Sequence, residues 1–216
     1  MLTAPLVVVG LRREARIVDA PGMRILIGGG QSQQLAQALG AAVAEGATSM
    51  VSFGLCGGLA PGLSAGDLVV DSSDPDWLAE IRAALPRSRA GRVIGLDAVV
   101  ASVGEKARLR RGTGADAVDM ESHLVVDAAR RAQVRYAIIR AVSDPADRAL
   151  PRAAIVGMRP DGGVDVAAVV AALARRPWEL ASLLRIAGDA GRAFKSLSEA
   201  RARLGPALGA YSAASR

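Results

Sequence analysis

Two acidic turns are the residues of this sequence best suited to carry out chemistry. Glu121 follows a short apolar run and opens a helical pattern, and Asp144 comes just after the apolar run at residues 136–142. In an open α/β sheet, ligands bind where strands end at their carboxyl edge. Carboxylates after two such strands would point into one crevice and act on a ligand bound there. The alternative is that both acids only cap the helices that follow them, since acids favour helix N-termini.

The composition indicates a globular protein with an aliphatic core. Of the 216 residues, 51% are hydrophobic but only 3% are aromatic, so Ala, Val, Leu and Ile must fill the core. The net charge is +6, yet nearly all the basic residues are arginine, and Lys106 and Lys195 are the only lysines. We do not expect a nucleic-acid partner, because such proteins cluster their basic residues and interleave them with aromatics.

Single cysteine and histidine residues limit the redox and metal chemistry that we expect. Cys56 cannot form an internal disulfide and fits a reducing compartment, and His123 has no histidine partner, so we expect no metal site. No apolar run approaches the length of a membrane span, and the apolar start lacks the basic flank and cleavage site of a signal peptide. We therefore expect a cytoplasmic protein without a bound cofactor.

Strand and helix patterns alternate along most of the chain. Strands are predicted at residues 6–9, 23–27, 50–55, 68–71, 93–96, around 118 and 136–142, and helices at 32–46, 77–85, 121–132, 166–175 and 178–204. This alternation implies a largely parallel sheet covered by helices on both faces. We expect one α/β domain over residues 1–216, with the C-terminal helices at 165–204 packed on it.

Two glycine-rich turns follow predicted strands. The run GGGQS at residues 28–32 lies between a strand and a helix, where backbone N–H groups and a helix N-terminus could hold an anion. It is not a full phosphate-binding motif, and a plain tight turn is the alternative. The run SFGLCGGL at residues 52–59 leaves a bare backbone surface against which a flat ring could lie. Cys56 within it is better explained as a small buried residue than as a nucleophile, because its neighbours are apolar.

Three blocks, in this order, resemble the purine and uridine phosphorylase superfamily, which includes methylthioadenosine nucleosidase. The blocks are SFGLCGGLAPGLSAGDLVV, VDMES and IIRAVSDPAD, and with the turns at Gly10 and Gly28 the resemblance spans residues 6–147. The run GGGQS, the compact middle region and the tail are similar to the hopanoid-associated phosphorylases. That resemblance implies a nucleoside-phosphorylase-like fold and cleavage of the adenine–ribose bond of adenosylhopane, with inorganic phosphate as co-substrate.

The resemblance also implies roles for the acidic turns. Breaking an N-glycosidic bond develops positive charge on the sugar and negative charge on the purine. Glu121 matches the carboxylate that binds the ribose, with Met120 beneath the sugar, and Asp144 matches the acid that protonates the purine, with Ser143 beside it. An aspartate is protonated near neutral pH only in a desolvated site or with a hydrogen bond that favours the acid form. Aspartate rather than asparagine at position 144 favours adenine as the base.

Further residues follow from the same resemblance. The expected base contacts are Leu55, Cys56, Gly57, Val99 and Val100. The expected phosphate ligands are Gly10, Arg12, Arg13, Gly29, Gly30, Gln31, Ser32 and Arg140. A buried arginine needs an anion, and for Arg140 this is either bound phosphate or Glu121; a purely structural salt bridge is the alternative.

Departures from the family pattern bear on the reaction. Hydrolytic relatives carry glutamates after the first strand, one of which orients the attacking water. Counting from Gly10, that position is Ala15, or Glu14 if the alignment slips by one residue. Because arginine attracts phosphate and a carboxylate repels it, Arg12 and Arg13 favour phosphorolysis. A hydrolytic nucleosidase and a non-catalytic nucleotide- or lipid-binding module stay as alternatives. A shortened segment at residues 72–92 is expected to leave the far end of the ribose open to a bulky hydrocarbon.

The C-terminal segment carries an apolar stripe at helical spacing. The stripe consists of Ala181, Leu184, Ala187, Ala190, Phe194 and Leu197, with charged residues largely opposite. Packing on the core or on a partner subunit is the simpler interpretation, and we expect a homo-oligomer because relatives are dimers or hexamers. Peripheral contact with a membrane is the alternative, although Asp189 and Glu199 count against it.

Overall fold

A mixed eight-stranded sheet forms the centre of the computed structural model, which describes residues 5–157, 159, 163 and 165–210. The strands are β1 (Leu6–Val9), β2 (Arg24–Ile27), β3 (Ser49–Gly58), β4 (Leu68–Ser72), β5 (Arg89–Ala90), β6 (Val93–Gly95), β7 (Ala117–Asp119) and β8 (Arg135–Asp144). The order is β2-β1-β3-β8-β4-β5, and β7 pairs with the end of β3 and with β6. Strands β2, β1, β3 and β8 are parallel, whereas β4 is antiparallel to β8.

Helices cover both faces of the sheet. They are α1 (Arg12–Val18), α2 (Ser32–Ala44), α3 (Pro75–Ala84), α4 (Val103–Thr113), α5 (Ser122–Ala132), α6 (Arg152–Val156), α7 (Val166–Arg175) and α8 (Leu180–Leu204). Alternate residues of β1 point to opposite faces: Val7 and Val9 pack with α3 and α8, and Leu6 and Val8 pack with α2 and α5. The predicted α/β fold, a mostly parallel mixed sheet flanked by helices, is confirmed.

The sequence prediction lacks helix α4 and the short helix α6. Helix α4 carries little apolar surface, and Lys106 is its one buried residue, so periodicity gave no signal. Its ends are nevertheless marked. Ser102 and Glu105 form a reciprocal capping box, and Gly114 ends the helix at a φ of +69°. These signals depend on local hydrogen bonds rather than on hydrophobicity.

Strands β3 and β8 extend beyond their predicted apolar runs. Their pairing continues through Cys56↔Val142 to Gly57↔Asp144, with a shift in register at Cys56 and Gly57. Backbone hydrogen bonding between neighbouring strands decides this extension, and hydropathy does not report it. The acidic end of β8 is thereby held at the edge of the sheet.

The C-terminal helices differ in how they are packed. The second half of α8 buries Ala193, Phe194, Leu197 and Ala200 in the core cluster that includes β1, β3 and β8. Helix α7 buries none of its residues, and α8 begins with Leu180 and Leu184 exposed. Within the described residues, no helix has the length and apolarity that crossing a bilayer would require.

The packing of α8 can be tested with a matched pair of leucines. Leu197 is 0% exposed and Leu184 is 63% exposed on the same helix. Leu197→Ala should lower the free energy of unfolding by about 2–5 kcal/mol, because it leaves a cavity in the core. Leu184→Ala should change it by less than about 0.5 kcal/mol. Urea denaturation measures both values, and equal losses would contradict the observed orientation of α8.

Candidate active site

A cavity of about 470 Å³ lies where β1, β3 and β8 end. This volume is typical of pockets for small ligands. The strand-end residues that line it include both predicted acids and most of the polar groups of the region. They are Gly10, Leu11, Glu14, Leu55, Cys56, Gly57, Asp119, Met120, Glu121, Arg140, Ser143 and Asp144. The structure therefore brings the two acidic turns to one cavity, as the sequence predicts.

Arg140 is the buried centre of one side of the cavity. Its side chain is 1% exposed, and its Nε lies 2.7 Å from Oδ2 of Asp119. Its Nη2 donates to Ser52 Oγ at 2.6 Å and lies 3.4 Å from Oε2 of Glu121. The carboxylates of Asp119 and Glu121 are thus both within reach of one guanidinium. The structure shows Arg140 in salt bridges with these two acids.

Asp119, which the sequence analysis did not single out, caps the helix that follows it. Its Oδ1 accepts from the backbone N–H groups of Glu121 at 3.1 Å and Ser122 at 2.8 Å. Glu121 occupies the N-cap position of α5 but makes no side-chain capping bond. The carboxylate of Glu121 is therefore free to face the cavity, and the capping interpretation belongs to Asp119 instead.

Glu14 is a further carboxylate at this side of the cavity. It lies on α1, is 1% exposed, and accepts from the backbone N–H groups of Gly10, Leu11 and Leu55, each at 2.8 Å. Counting from Gly10 indicated Ala15 for the water-orienting position, with Glu14 as the alternative, and of the two it is Glu14 that lines the cavity. Ala15 instead packs against the hydrophobic core.

Glycines at the strand ends make room for these carboxylates. A Cβ atom at Gly10 would lie 2.8 Å from Oε1 of Glu121, and one at Gly28 would lie 2.8 Å from Cγ of Glu121. At Gly54, whose φ is +153°, a Cβ would lie 2.6 Å from the carboxyl group of Glu14. The glycines that suggested an anion or ring platform are thus required for the close approach of acidic side chains.

Burial and charge crowding change how these acids ionise. The pKa of Glu121 is raised to about 7; desolvation is the main cause, Arg140 opposes the rise, and the charges of Asp119 and Glu14 add to it. Desolvation also raises the pKa of Glu14, while Arg140 and three backbone N–H groups oppose that rise. Because both carboxylates are buried beside the same guanidinium, ionisation of Glu121 and of Glu14 is disfavoured relative to an exposed glutamate.

Asp144 lies in a separate pair with a buried lysine. Oδ2 of Asp144 is 2.7 Å from Nζ of Lys106, and Oδ1 accepts from Ser143 Oγ at 2.6 Å. Burial raises the pKa of Asp144, and the ammonium group of Lys106 opposes that rise. Asp144 therefore has two defined partners and one carboxyl edge on the cavity.

Lys106 is a residue beside the cavity acid Asp144 that the sequence analysis did not single out. It is 0% exposed, and its Nζ also donates to the backbone oxygens of Asp144, Pro145 and Arg148, each at 2.9 Å. The buried ammonium group is thus hydrogen-bonded to several oxygen atoms, which offsets the cost of its burial. The signal that could have indicated Lys106 was its rarity together with the capping box of α4, since only two lysines occur in the chain.

The expected base contacts line the cavity. Leu55, Cys56, Gly57, Val99 and Val100 all face it, and so does Met120. Cys56 is 4% exposed, and desolvation raises the pKa of its thiol well above the usual value. This environment disfavours the reactive thiolate and agrees with the interpretation of Cys56 as a small buried residue.

The expected phosphate ligands are divided by the structure. Gly10, Gly29, Gly30, Gln31 and Arg140 line the cavity. Arg12 and Arg13 are exposed and do not line it, and the guanidinium of Arg13 lies 4.0 Å from the ring centre of Phe194. Ser32 does not line it either, and its hydroxyl donates to Asp97 at 2.5 Å. These three side chains therefore lie outside the cavity lining, and for Arg12 and Arg13 the reason is that α1 directs Glu14 inward instead.

The C-terminal part of the chain supplies what we call the outer wall of the cavity. It consists of Leu150, Ala154, Ile155, Ile186 and Ala190, together with Arg159, so it is mostly apolar. None of residues 72–92, all of which the structure describes, lines the cavity. Helices α6 and α8 therefore decide what can extend from the pocket. In the described part of the chain, no group of three His, Cys, Asp or Glu side chains could hold a metal ion.

Comparisons with known proteins agree with the fold. Residues 71–175 match the model of a family described as the phosphorylase superfamily, which supports the superfamily resemblance; no curated protein sequence matches significantly. The 5′-methylthioadenosine/S-adenosylhomocysteine nucleosidase of Neisseria meningitidis is 17% identical with a TM-score of 0.62, covering 92% of this chain and 98% of that one. S-adenosylhomocysteine nucleosidase of Streptococcus pyogenes is 14% identical with a TM-score of 0.62, covering 95% and 99%. Futalosine hydrolase of Helicobacter pylori is 16% identical with a TM-score of 0.57, covering 67% and 88%.

The pairing of Lys106 with Asp144 can be tested by its effect on stability. Lys106→Met should lower the free energy of unfolding by about 3–5 kcal/mol at neutral pH, because it leaves a buried carboxylate without its cation. Removing the cation raises the pKa of Asp144 in the folded state further above its unfolded value. The folded variant then binds the proton more tightly, so its deficit should shrink as the pH falls through that raised pKa.

The only other lysine provides the control for this variant. Lys195 is exposed and lies 3.9 Å from Glu199, so Lys195→Met should leave stability nearly unchanged. Urea denaturation across a pH series distinguishes the two variants. If the loss of unfolding free energy in Lys106→Met did not depend on pH, the unpaired carboxylate of Asp144 would not be its cause.

Proposed function

We propose that this protein cleaves the bond between adenine and ribose in an adenosine that carries a large apolar 5′ substituent. Adenosylhopane, the substrate that the sequence resemblance implies, has this character, and the reaction would serve hopanoid biosynthesis. The observation that carries the proposal is that two buried acids with raised pKa values, Glu121 and Asp144, line one cavity. Cleavage of an N-glycosidic bond needs one group at each end of the bond.

Asp144 would act as the general acid toward the departing purine. Its raised pKa favours the protonated form that proton donation needs. Since Lys106 occupies Oδ2, the transferable proton is expected on Oδ1, where the hydroxyl of Ser143 can turn to accept it. Donation from Oδ1 to a ring nitrogen would leave Asp144 as a carboxylate stabilised by Lys106. Lys106 thereby positions Asp144 and stabilises its charge after transfer.

Glu121 would act at the sugar end of the bond. Its ionised form stabilises the positive charge that develops on the ribose and accepts hydrogen bonds from the ribose hydroxyls. Arg140 binds its carboxylate, and the lack of a Cβ at Gly10 and Gly28 leaves room for its side chain. Because the pKa of Glu121 is about 7, the active form would be only partly populated below neutral pH. Activity should therefore rise as the pH increases toward this value.

The placement of Glu14 favours water as the acceptor of the ribosyl group. Its carboxylate lines the cavity near Arg140 and Glu121, where a phosphate dianion would meet two acids. Oε1 of Glu14 accepts one backbone N–H, from Leu55, and so keeps capacity to orient a water molecule. Arg12 and Arg13, on which the case for phosphate partly rested, do not line the cavity.

Phosphate is the second candidate acceptor, and one observation favours it. Gly29, Gly30 and Gln31 line the cavity just before the N-terminus of α2, where backbone N–H groups can bind an anion. The sequence resemblance to the hopanoid-associated phosphorylases also implies phosphorolysis. The two acceptors are distinguished by experiment in a single assay.

The apolar outer wall supports a hydrocarbon at the 5′ position. Leu150, Ile155 and Ile186 belong to this wall, and the cavity is only partly enclosed. A small polar substituent would leave these side chains against water, whereas a hydrocarbon would cover them. This argument concerns the class of substituent, which a series of synthetic 5′-alkyl adenosines would test.

Adenine release from a 5′-alkylthioadenosine is the first measurement. The wild type should release adenine, and Asp144→Ala should lower kcat/KM by roughly 10²–10⁴-fold, because it removes the general acid. Asp147→Ala is the matched control, since Asp147 is exposed three residues away and does not line the cavity. Equal activity of wild type and Asp144→Ala would contradict the proposed reaction, as would release of no adenine from either a soluble nucleoside or adenosylhopane.

The acceptor is decided by phosphate and by Glu14. If water is the acceptor, release should not depend on phosphate, and the isosteric Glu14→Gln should lower it by roughly 10²-fold or more. If phosphate is the acceptor, adenine release should require phosphate, and the sugar product should be a ribose 1-phosphate. Mass spectrometry of the sugar product distinguishes the two. A Glu14→Gln variant as active as wild type without phosphate would remove Glu14 from the mechanism.

A further inference from the structure

Exposed large hydrophobic residues are concentrated on one part of the surface. Of the eight in the described residues, all but Ile27 and Val103 lie between positions 156 and 184. They form what we call the apolar surface, which consists of Val156, Val166, Val170, Trp178, Leu180 and Leu184. It spans α6, α7 and the start of α8. Helices α6 and α7 contact each other, and the turn at Pro177–Glu179 contacts both α7 and α8. A large exposed apolar surface marks a site that contacts an apolar partner.

The charges around the apolar surface have one sign. The exposed charged residues within positions 165–192 are Arg175, Arg176, Arg185 and Arg192. The acids of the same segment are turned into the fold. Asp165 accepts from the backbone N–H of Ala168 at 2.9 Å, and Glu179 accepts from that of Ala153 at 3.2 Å.

Asp189 no longer counts against a membrane contact. Its side chain is 0% exposed and pairs with Arg148 and Arg192, so it presents no charge to solvent. Glu199 is exposed but lies beyond the apolar surface on α8, within 3.9 Å of Lys195. The outward face at positions 165–192 is therefore formed by apolar side chains and arginines.

We propose that the apolar surface rests on an anionic lipid bilayer. An interfacial helix needs an apolar face, basic residues beside it and an aromatic residue at the level of the headgroups. Helix α7 has no buried residue within the protein and carries no acid, and Trp178 follows it directly. Arginines near the membrane would add attraction to anionic headgroups.

A second copy of the chain fits this surface less well. A two-fold contact sets the same surface against itself. Arg176 and Arg192 already pair with Glu179 and Asp189, but Arg175 and Arg185 would approach their copies across such a contact. No exposed acid lies at positions 165–192 to compensate these two arginines. An anionic bilayer would cover the apolar side chains and also attract the arginines. Self-association would cover the apolar side chains only.

The location of the apolar surface has a consequence for the cavity. Val156 directly follows Ala154 and Ile155 of the outer wall, and Leu184 precedes Ile186 on α8. The cavity would thus open beside the bilayer, and a lipid substituent could stay in contact with lipid while the nucleoside enters. This last step rests on the proposed function, whereas membrane binding itself does not.

The two tryptophans of the chain make the test specific. Trp178 is 72% exposed on the apolar surface, whereas Trp77 is 0% exposed and donates to the backbone oxygen of Leu208. Vesicles of phosphatidylglycerol and phosphatidylcholine in equal parts should bind the protein in flotation assays, and brominated lipids should quench Trp178. Trp178→Phe should remove this quenching, since Trp77 is out of reach of lipid.

Matched variants separate the apolar and charged contributions. Val170→Ser should weaken binding roughly tenfold, whereas Val103→Ser, at an exposed valine on α4, should not. The double variant Arg175→Gln with Arg185→Gln should weaken binding to anionic vesicles roughly thirtyfold. Arg87→Gln, at an exposed arginine elsewhere, is the control for charge.

Three outcomes would overturn the proposal. One is no binding to anionic vesicles, and another is binding that Val170→Ser and Val103→Ser weaken equally. The third is a dimer in analytical ultracentrifugation that Val170→Ser dissociates, which would assign the surface to a subunit interface. Adenine release from a soluble nucleoside is measured on the same variants, so failure of membrane binding is distinguished from failure of the proposed reaction.

Discussion

The balance of charge around Arg140 is the constraint on which the rest of the site depends. One buried guanidinium contacts Asp119 and Glu121 directly and opposes the rise in the pKa of Glu14 that burial causes. Removing water from so many charges is costly unless they compensate one another. Compensation requires close approach, and this is why the strands end in glycine where the acids meet the backbone. Arg140 therefore links three features of the site. They are the glycine-rich strand ends, the helix cap formed by Asp119, and Glu121, which faces the cavity.

The two acids at the cavity are held by different means, and the difference suits different roles. Glu121 belongs to a group with excess negative charge, whereas Asp144 has a cation of its own in Lys106. A group that stabilises a developing cation and a group that gives up a proton need different environments. Separate partners allow each pKa to be set without the other. The fold achieves this by taking Arg140 from β8 and Lys106 from α4.

The C-terminal helices connect the chemistry to the surface. Residues of α6 and α8 form the apolar outer wall, and their neighbours form the exposed apolar surface. The same helices thus form part of the cavity wall and also the exposed apolar surface. The long helix α8 can do both because its second half is anchored in the core. Its first half can therefore stay helical at the protein surface, although few of the residues there are buried.

The sequence by itself determined the alternating elements, the α/β fold and the two acidic turns, because hydrophobic periodicity and turn residues are local signals. It also indicated most of the cavity lining through the strand-end motifs. It did not determine α4 or its buried lysine, since neither changes the apolar pattern. Which of Arg12, Arg13 and Glu14 faces the cavity was decided only by the tertiary structure, because the orientation of α1 depends on a backbone donor at Leu55, which is distant in the chain. The exposure of α7 was also decided only by the tertiary structure, because the apolar pattern of a helix does not show whether other elements cover it.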